Sequence, residues 1–356
     1  MSKYGVAILG CGNIAGAYAS DMQTYPELNL LGAADVDAAR AGEFAAKYNI
    51  KAYESNEAVL ADPAVQIVVN LTSHFAHHEL NIKALNAGKH VFTEKPMAVS
   101  TAEAYEQVQL AKAKGLRLAA APFTLMGEAQ QTAWKYIRDG KLGTVRVVYA
   151  EVNWGRIEAW HPAPGPFYEV GALFDVGVYP LTILTAMFGP VKRVISYGTL
   201  LYPHRVTKEG VPFTISTPDW VNTNLETESG TVIRLTTDFY VSGQNSKQTG
   251  IEFHGDTGSI YLDNWHDFDG RIYYAKFGES LQEIQPIRTP AKGVPRGRGM
   301  QELAQAISEN RPHRFDGEQA WHVVDILNSA VVSMKENRPV ELTSRFTPPP
   351  PMEWAT

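Results

Sequence analysis

Between Tyr4 and Ala121, short runs of consecutive Val, Ile, Leu and Ala alternate with longer amphipathic stretches. This is the rhythm of parallel strands joined by crossover helices. The runs place strands at residues 5–9, 28–34, 66–70, 90–93 and 116–120, with helices between them. Their apolar residues stand next to one another rather than alternating, so burial on both faces is expected, as in a doubly wound parallel sheet.

Past Pro122 the rhythm changes. The pattern predicts a helix over 127–138, a strand over 144–153, a proline-rich loop over 155–170 and a helix over 172–187. Alternating segments at 219–226, 231–240 and 250–253 follow, which predict an antiparallel sheet. Helices over 300–309 and 318–336 come last, and residues 348–351 read as an extended polyproline segment. The expected fold is therefore α/β, an N-terminal doubly wound parallel sheet followed by a C-terminal α+β domain with an antiparallel sheet. The expected division is residues 1–122, 123–345 and a proline-rich tail, 346–356. No repeat period interrupts this plan.

At 356 residues the chain is long enough for two cores. Hydrophobic residues at 44% and charged residues at 20% are those of a folded chain. A net charge of -6 without a long basic run excludes nucleic acid as the main partner. The sequence contains no uninterrupted apolar run near the roughly 18 residues of a membrane span, and nothing at its start resembles a signal peptide. The expected partner is thus a small molecule, with no membrane, and the expected location is the cytoplasm. Cys11 is the single cysteine, which excludes an intrachain disulfide framework and a thiolate metal cluster. His77 and His78 are adjacent, and no ligand set shows the i, i+4 spacing of a metal helix, so no metal is expected. A Gly-x-Ser-x-Gly elbow is missing too, which sets aside a serine hydrolase.

The segment Gly10-Cys11-Gly12-Asn13-Ile14-Ala15 follows the first strand and opens the first helix, the context of a dinucleotide fingerprint. Gly10 would make the tight turn, Gly12 would let the backbone approach a pyrophosphate, and Ala15 would let helix and strand pack closely. Gly297-Arg298-Gly299 has similar spacing but no strand before it, and is set aside. Asp35 ends the second strand at about the 20-residue offset where a carboxylate accepts hydrogen bonds from the adenosine ribose hydroxyls. It would repel a ribose phosphate, which favours NAD over NADP. Capping of the following helix is the alternative for Asp35, although Asp37 is better placed for that. Lys95 stands at the carboxyl end of a strand, the edge where open α/β sheets place ligands; a surface lysine is the alternative. Asp175 and Tyr179 are four residues apart on an expected helix and so share a face.

The run Ala87-Gly88-Lys89-His90-Val91-Phe92-Thr93-Glu94-Lys95-Pro96, together with Gly171-Ala172-Leu173-Phe174-Asp175-Val176-Gly177-Val178-Tyr179-Pro180, resembles the Gfo/Idh/MocA oxidoreductase family, which includes glucose-fructose oxidoreductase and inositol dehydrogenase. The resemblance covers nearly the whole chain, His322 in the closing helix included. It implies a Rossmann domain paired with a domain built on a large, open, mostly antiparallel sheet, homodimers or homotetramers, and a catalytic group made of Lys95, Tyr179 and Asp175, in which Asp175 and Tyr179 also bind substrate and Lys95 also touches the cofactor. It also implies that Asn13 and Ile14 touch the pyrophosphate, while Thr72, His77 and Glu94 border the nicotinamide. A helix-start histidine is the alternative for His77, and a packing residue is the alternative for Tyr179. Several relatives have histidine where Tyr179 stands, many have an acidic or amide residue at Thr182, and many have arginine where this chain has Leu125 and Met126.

From Trp154 to Pro162, and on to Phe167-Tyr168, aromatic rings, a basic group and hydrogen bonders gather before the catalytic helix. Aromatic faces and polar tips together suit a sugar, so Arg156, Trp160, His161 and Tyr168 are expected to bind substrate. A loop that covers a core or an interface is the alternative. The resulting expectation is NAD(H)-dependent hydride transfer at a secondary alcohol of a sugar, glycoside or polyol. Its rivals are redox-neutral glycoside cleavage or isomerisation through a keto-sugar, and a non-catalytic NAD- or sugar-binding regulator.

Overall fold

Each of the five N-terminal apolar runs forms a strand in the computed structural model, which describes residues 3–246 and 249–356. The chain begins with β1 (Tyr4–Leu9), α1 (Ala15–Met22), β2 (Leu28–Ala34) and α2 (Ala38–Tyr48). It continues through β3 (Lys51–Ala52), α3 (Asn56–Ala61), β4 (Ile67–Asn70), α4 (His77–Asn86), β5 (His90–Thr93), α5 (Thr101–Ala113) and β6 (Leu118–Ala120). All six strands are parallel, in the order β3-β2-β1-β4-β5-β6. Val6 through Leu9 and Ile67 through Val69 have no exposed surface, as expected for strands covered on both faces. Polar side chains set the helix starts: Asp37 accepts from the N–H groups of Ala39 and Arg40, Ser55 from Ala58, and Ser100 from Glu103. The strand order reverses between β1 and β4, and a crevice at such a switch point is where doubly wound folds bind ligands.

The second unit starts with α6 (Glu128–Arg138) and β7 (Val145–Asn153), followed by α7 (Gly165–Val176) and α8 (Val178–Phe188). Its remaining strands are β8 (Val191–Thr199), β9 (His204–Val206), β10 (Pro212–Thr214), β11 (Trp220–Thr227), β12 (Val232–Asp238), β13 (Gly250–Gly255), β14 (Gly258–Leu262), β15 (Ile272–Lys276), β16 (Gln282–Ile284) and β17 (Val340–Glu341). Nine of them make one sheet in the order β16-β15-β14-β13-β7-β12-β11-β8-β17, with only β7 and β12 parallel. The expected open, mostly antiparallel sheet is therefore present. Its inward residues, among them Val148, Ala150, Ile233, Leu235, Ile251 and Phe253, are buried, while Ile195, Tyr197 and Val232 alternate outward.

Three expectations require correction. Residues 165–170, expected in the proline-rich loop, are helical, whereas the helix expected over 172–187 is present as the rest of α7 and α8, which run on through helical torsions at Gly177. Pro166 lies in the first turn, where proline costs no hydrogen bond. Gly171 then breaks the helical path at φ 82, and a side chain there would strike Thr217 at 2.7 Å. Together α7 and α8 make a 24-residue stretch apolar enough by composition to cross a membrane, but 78% of the apolar window is buried in the fold, as in a core helix.

Residues 295–324 were expected in the second domain. They cluster instead with residues 1–123. Polar pairings explain this: Glu27 accepts from Gln301 and Gln305, and the Gly297 N–H donates to Asp21 at 2.5 Å. The Ala120 N–H also donates to the Phe315 carbonyl at 3.2 Å. The division into units falls within α10 (Gly317–Glu336), which follows α9 (Arg298–Ser308). The C-terminal segment is no separate tail, because the Met352 N–H donates to Gln131 and the Trp354 ring lies 3.8 Å from the Arg288 guanidinium carbon.

Candidate active site

The turn after β1 has the form that a dinucleotide requires. Gly10 has φ 93, and a Cβ there would press within 2.9 Å of the Leu71 and Thr72 backbone. Gly12 is exposed, and a Cβ there would meet no atom within 4 Å. One glycine is thus demanded by the protein, whereas the other keeps a space open. Asn13 is exposed and Ile14, the N-cap residue, is half-buried at the entrance to α1 and offers no side-chain cap. The positive end of the helix suits a pyrophosphate.

Asp35 is held firmly at the end of β2. Its Oδ2 accepts the Cys11 N–H at 2.7 Å, its Oδ1 accepts the Asp37 N–H at 2.9 Å, and Arg40 lies 3.3 Å away. Asp37 is the helix cap, so capping is not what Asp35 is there to do. Burial and the neighbouring Asp35 carboxylate push the Cys11 thiol up to about 11, which leaves it an unreactive packing group.

At the end of β5, Glu94 accepts the Tyr18 hydroxyl at 2.5 Å and the Lys95 N–H at 3.0 Å. Burial opposes its charge, but Arg296 and Lys95 outweigh that and hold the carboxyl below its usual range. Lys95 itself is half-buried at the carboxyl edge of the sheet. Thr72 and His77 belong to a network that ties the ends of β4 and β5 together. The Thr72 hydroxyl donates to Asn70 at 2.6 Å, and Asn70 donates to Asn81, which donates to Gln107. His77 starts α4 and is 1% exposed, with Nδ1 2.7 Å from the Pro96 carbonyl and Nε2 3.1 Å from that of Thr72. Burial lowers its pKa despite these carbonyls, so it stays neutral. A neutral imidazole carries one N–H, so it donates to one of these two carbonyls, and the ring is wedged between the Thr72 and Pro96 backbones.

In the second unit, Gly177 has helical torsions, so the step of four positions from Asp175 to Tyr179 remains about one turn of helix. Asp175 is 9% exposed and Tyr179 half-buried. Thr182 donates its hydroxyl back to Val178. The Tyr179 ring packs against Trp265 at 5.0 Å and His266 at 5.4 Å, and both of these line a cavity of about 820 Å³. The cavity also takes in Asn153, Trp154, Arg156, Trp160 and Tyr240.

Trp265 and His266 were not anticipated from the sequence. They occupy the loop between β14 and β15, where Asn264 Oδ1 accepts the N–H groups of His266 and Asp267. Asp267 accepts from His266 at 2.7 Å, and its carbonyl accepts from Gln130 on α6. The signal was an aromatic and hydrogen-bonding run, Asn264-Trp265-His266-Asp267, of the same composition as the earlier loop.

Two of the six expected substrate residues, Arg156 and Trp160, line this cavity; His161, Tyr168, Asp175 and Tyr179 do not. The Ala163 N–H donates to His161 Nδ1, and the ring packs against Trp160 and Phe167, so it shapes its own loop. Tyr168 is 3% exposed and belongs to a buried charge network. Its hydroxyl donates to Glu158 and accepts from Ile157 and Arg205. Burial and the bond to Glu158 push that phenol far above its usual range, so it remains protonated. Arg205 is 1% exposed and also pairs with Glu158 at 2.9 Å and Asp219 at 2.6 Å.

A strand-order switch point bearing an open glycine turn and an anchored carboxylate, on a chain that also carries an aromatic cavity, defines a two-unit dinucleotide-binding protein of the oxidoreductase class. Residues 4–121 match the family model described as "Oxidoreductase family, NAD-binding Rossmann fold", and residues 130–261 match the "GFO/IDH/MocA C-terminal domain". The chain belongs to the Gfo/Idh/MocA oxidoreductase family.

Among its relatives it is 32% identical over 219 residues to trans-1,2-dihydrobenzene-1,2-diol dehydrogenase of Mus musculus, covering 59% of this chain and 62% of that one. It is also 32% identical over 199 residues to D-xylose 1-dehydrogenase (NADP(+)) of Hypocrea jecorina, covering 49% and 50%. The chain thus spans about three fifths and one half of these two relatives. The aldose-aldose oxidoreductase of Caulobacter crescentus has the same fold, with a TM-score of 0.81 at 21% identity over 96% of this chain and 100% of that one.

Proposed function

We propose that the protein transfers hydride between a nicotinamide dinucleotide and a secondary alcohol of a carbohydrate, glycoside or related polyol. The observation that carries this reading is the packing of Tyr179 against Trp265 and His266, two walls of an aromatic and polar cavity. Indole faces suit the C–H faces of a sugar ring, and Asn153, Asn264 and His266 suit its hydroxyls. The relatives named for diol and xylose dehydrogenation support the same class of chemistry.

Gly10, Gly12, Asn13, Ile14 and Asp35 would hold the dinucleotide, and Lys95 would stand at the same sheet edge. When bound, the nicotinamide supplies the hydride acceptor. Tyr179 exchanges the hydroxyl proton of the alcohol, Asp175 orients the alcohol through a hydrogen bond, and Lys95 contributes positive charge that favours the alkoxide form. NAD is the preferred cofactor, because the Asp35 carboxylate repels a ribose phosphate and Arg40, its neighbour, is drawn into pairing with it.

No observation favours redox-neutral cleavage or a purely regulatory role. The test is absorbance at the NADH band with purified protein, NAD and a panel of sugars, polyols and glycosides, run beside Lys95→Ala and Tyr179→Phe. NAD reduction that both substitutions abolish, with NADH binding retained, is the expected result. Silence across the panel in the wild type would overturn the reading.

A further inference from the structure

The charge of the cavity points to a narrower class of substrate, an inference that rests on the cavity's being the alcohol site. Arg156 is exposed and lines the cavity, and its guanidinium carbon lies 4.6 Å from the Tyr202 ring centroid and 5.1 Å from that of Tyr240. Two aromatic faces therefore fix the side chain without using its N–H groups, which lie in the guanidinium plane and leave by its edge.

Among the described residues Arg156 has no ion pair or hydrogen bond. The cavity's two carboxylates are each committed elsewhere. Asp263 takes Arg271 at 2.8 Å and the Arg271 N–H besides, while Asp267 takes His266 and Asn264. The nearest carboxylate in sequence, Glu158, is spent on Arg205 and Tyr168. A cation with its rotamer already fixed, without a counter-charge and beside three tryptophans (Trp154, Trp160 and Trp265), is a preorganised receptor for an oxyanion.

We infer that Arg156 recognises an anionic group on the substrate, so that the preferred ligand is a pyranoside bearing a carboxylate or a phosphate ester. The indoles take the ring and Arg156 takes the oxyanion through paired N–H donors. The cavity volume of about 820 Å³ lies in the upper part of the roughly 300–1,000 Å³ range of small-molecule sites, which leaves room for such a group and an aglycone.

The experiment compares methyl β-glucoside, methyl β-glucuronide and glucose 6-phosphate as probes, with tryptophan fluorescence of the NADH-loaded protein for binding and, in separate assays supplied with NAD, NAD reduction for turnover. The wild type is expected to bind one or both anionic probes about 10- to 100-fold more tightly than the neutral one, the scale of charge-assisted hydrogen bonds. Which anion wins separates a uronate from a phosphate. In Arg156→Met the ratio of anionic to neutral affinity should collapse toward one, and Arg156→Lys, which keeps charge but not the paired donors, should keep part of it.

Equal wild-type affinities for all three probes, or a ratio that survives Arg156→Met, would overturn the inference. Turnover of neutral sugars with no charge preference would do so while leaving the hydride-transfer reading intact. Arg156-dependent anion binding without turnover of any probe would support the inference and count against hydride transfer.

Discussion

Replacing Arg205 with methionine should strand two carboxylates inside the second unit. The guanidinium now donates to Glu158, Asp219, the Tyr168 hydroxyl and the carbonyls of Tyr202 and Phe239. Breaking a buried ion pair from one side costs about 3–5 kcal/mol, because the remaining charge lies in a poor solvent without its partner. Here some compensation survives: Asp219 keeps the N–H groups of Leu201 and Tyr202, and Glu158 keeps the Tyr168 hydroxyl. The low end, about 3 kcal/mol, is therefore expected. At about 2–4 °C per kcal/mol for a unit of this scale, the melting point should fall by about 6–12 °C.

The pH dependence gives the decisive sign. Stranded carboxylates have folded-state pKa values above their unfolded ones, so the variant is least handicapped at low pH and loses ground as pH rises through those values. Thermal melting at pH 5, 6.5 and 8 should show a gap from wild type that widens with pH. Adding Glu158→Gln and Asp219→Asn to the same chain should close more than half of it at pH 8. A gap under about 2 °C, or one identical at pH 5 and 8, would refute the reasoning, since about 3 kcal/mol could then not reside in this network.

Tyr168→Phe removes a hydroxyl shared by three partners and should cost about 1–3 kcal/mol in melting experiments while substrate KM stays near wild type; a raised KM at unchanged melting point would restore Tyr168 as a substrate contact. Gly10→Ala should lower the melting point sharply, because its Cβ meets backbone at a positive φ, whereas Gly12→Ala should melt like wild type yet bind NADH weakly in a fluorescence titration. Asp35→Ser should lower the NAD-to-NADP ratio of kcat/KM by at least about tenfold, close to 1.4 kcal/mol, and an unchanged ratio would remove Asp35 from cofactor choice. Burial, helped by the charges of Glu151 and Asp219, raises the Asp238 carboxyl to about 6 against the backbone N–H groups that favour its ionised form. Its ionisation above that pH opposes folding, so Asp238→Asn should gain on wild type between pH 4 and 7, by at most about 3 kcal/mol.

The parallel sheet was legible because its physics is local. Consecutive apolar residues such as Val6-Ala7-Ile8-Leu9 have no other use in a folded chain than a strand covered twice, and Gly10 and Asp37 mark where strand ends and helix begins. The return of residues 295–324 to the first unit was not legible. Glu27, Gln301 and Gln305 look like ordinary surface residues until the chain brings them together across more than 270 positions. Residues 165–170 gave a different error: their prolines and glycine read as loop, yet they form a helical turn, and Gly171, at φ 82 against Thr217 of a remote loop, separates it from the helix expected after it.

The substrate loop shows where composition ceases to decide. Aromatic rings beside hydrogen bonders make a sugar site, but they also make a buried polar network, to which Tyr168 belongs, or a self-packed loop, to which His161 belongs. What separates the two is the partner charge, which comes from elsewhere in the chain. Tyr202 lies against both guanidiniums, 5.4 Å from Arg205 and 4.6 Å from Arg156. Arg205 has met Glu158 and Asp219 and is neutralised inside the protein, so its charge is structural. Arg156 rests on the same ring with no carboxylate among the described residues, so its charge is directed to whatever enters the cavity. Supplying a carboxylate at Tyr240 should therefore silence Arg156 as Asp219 silences Arg205: Tyr240→Glu is expected to abolish any preference for anionic probes, whereas Tyr240→Phe, which keeps the ring, should retain it.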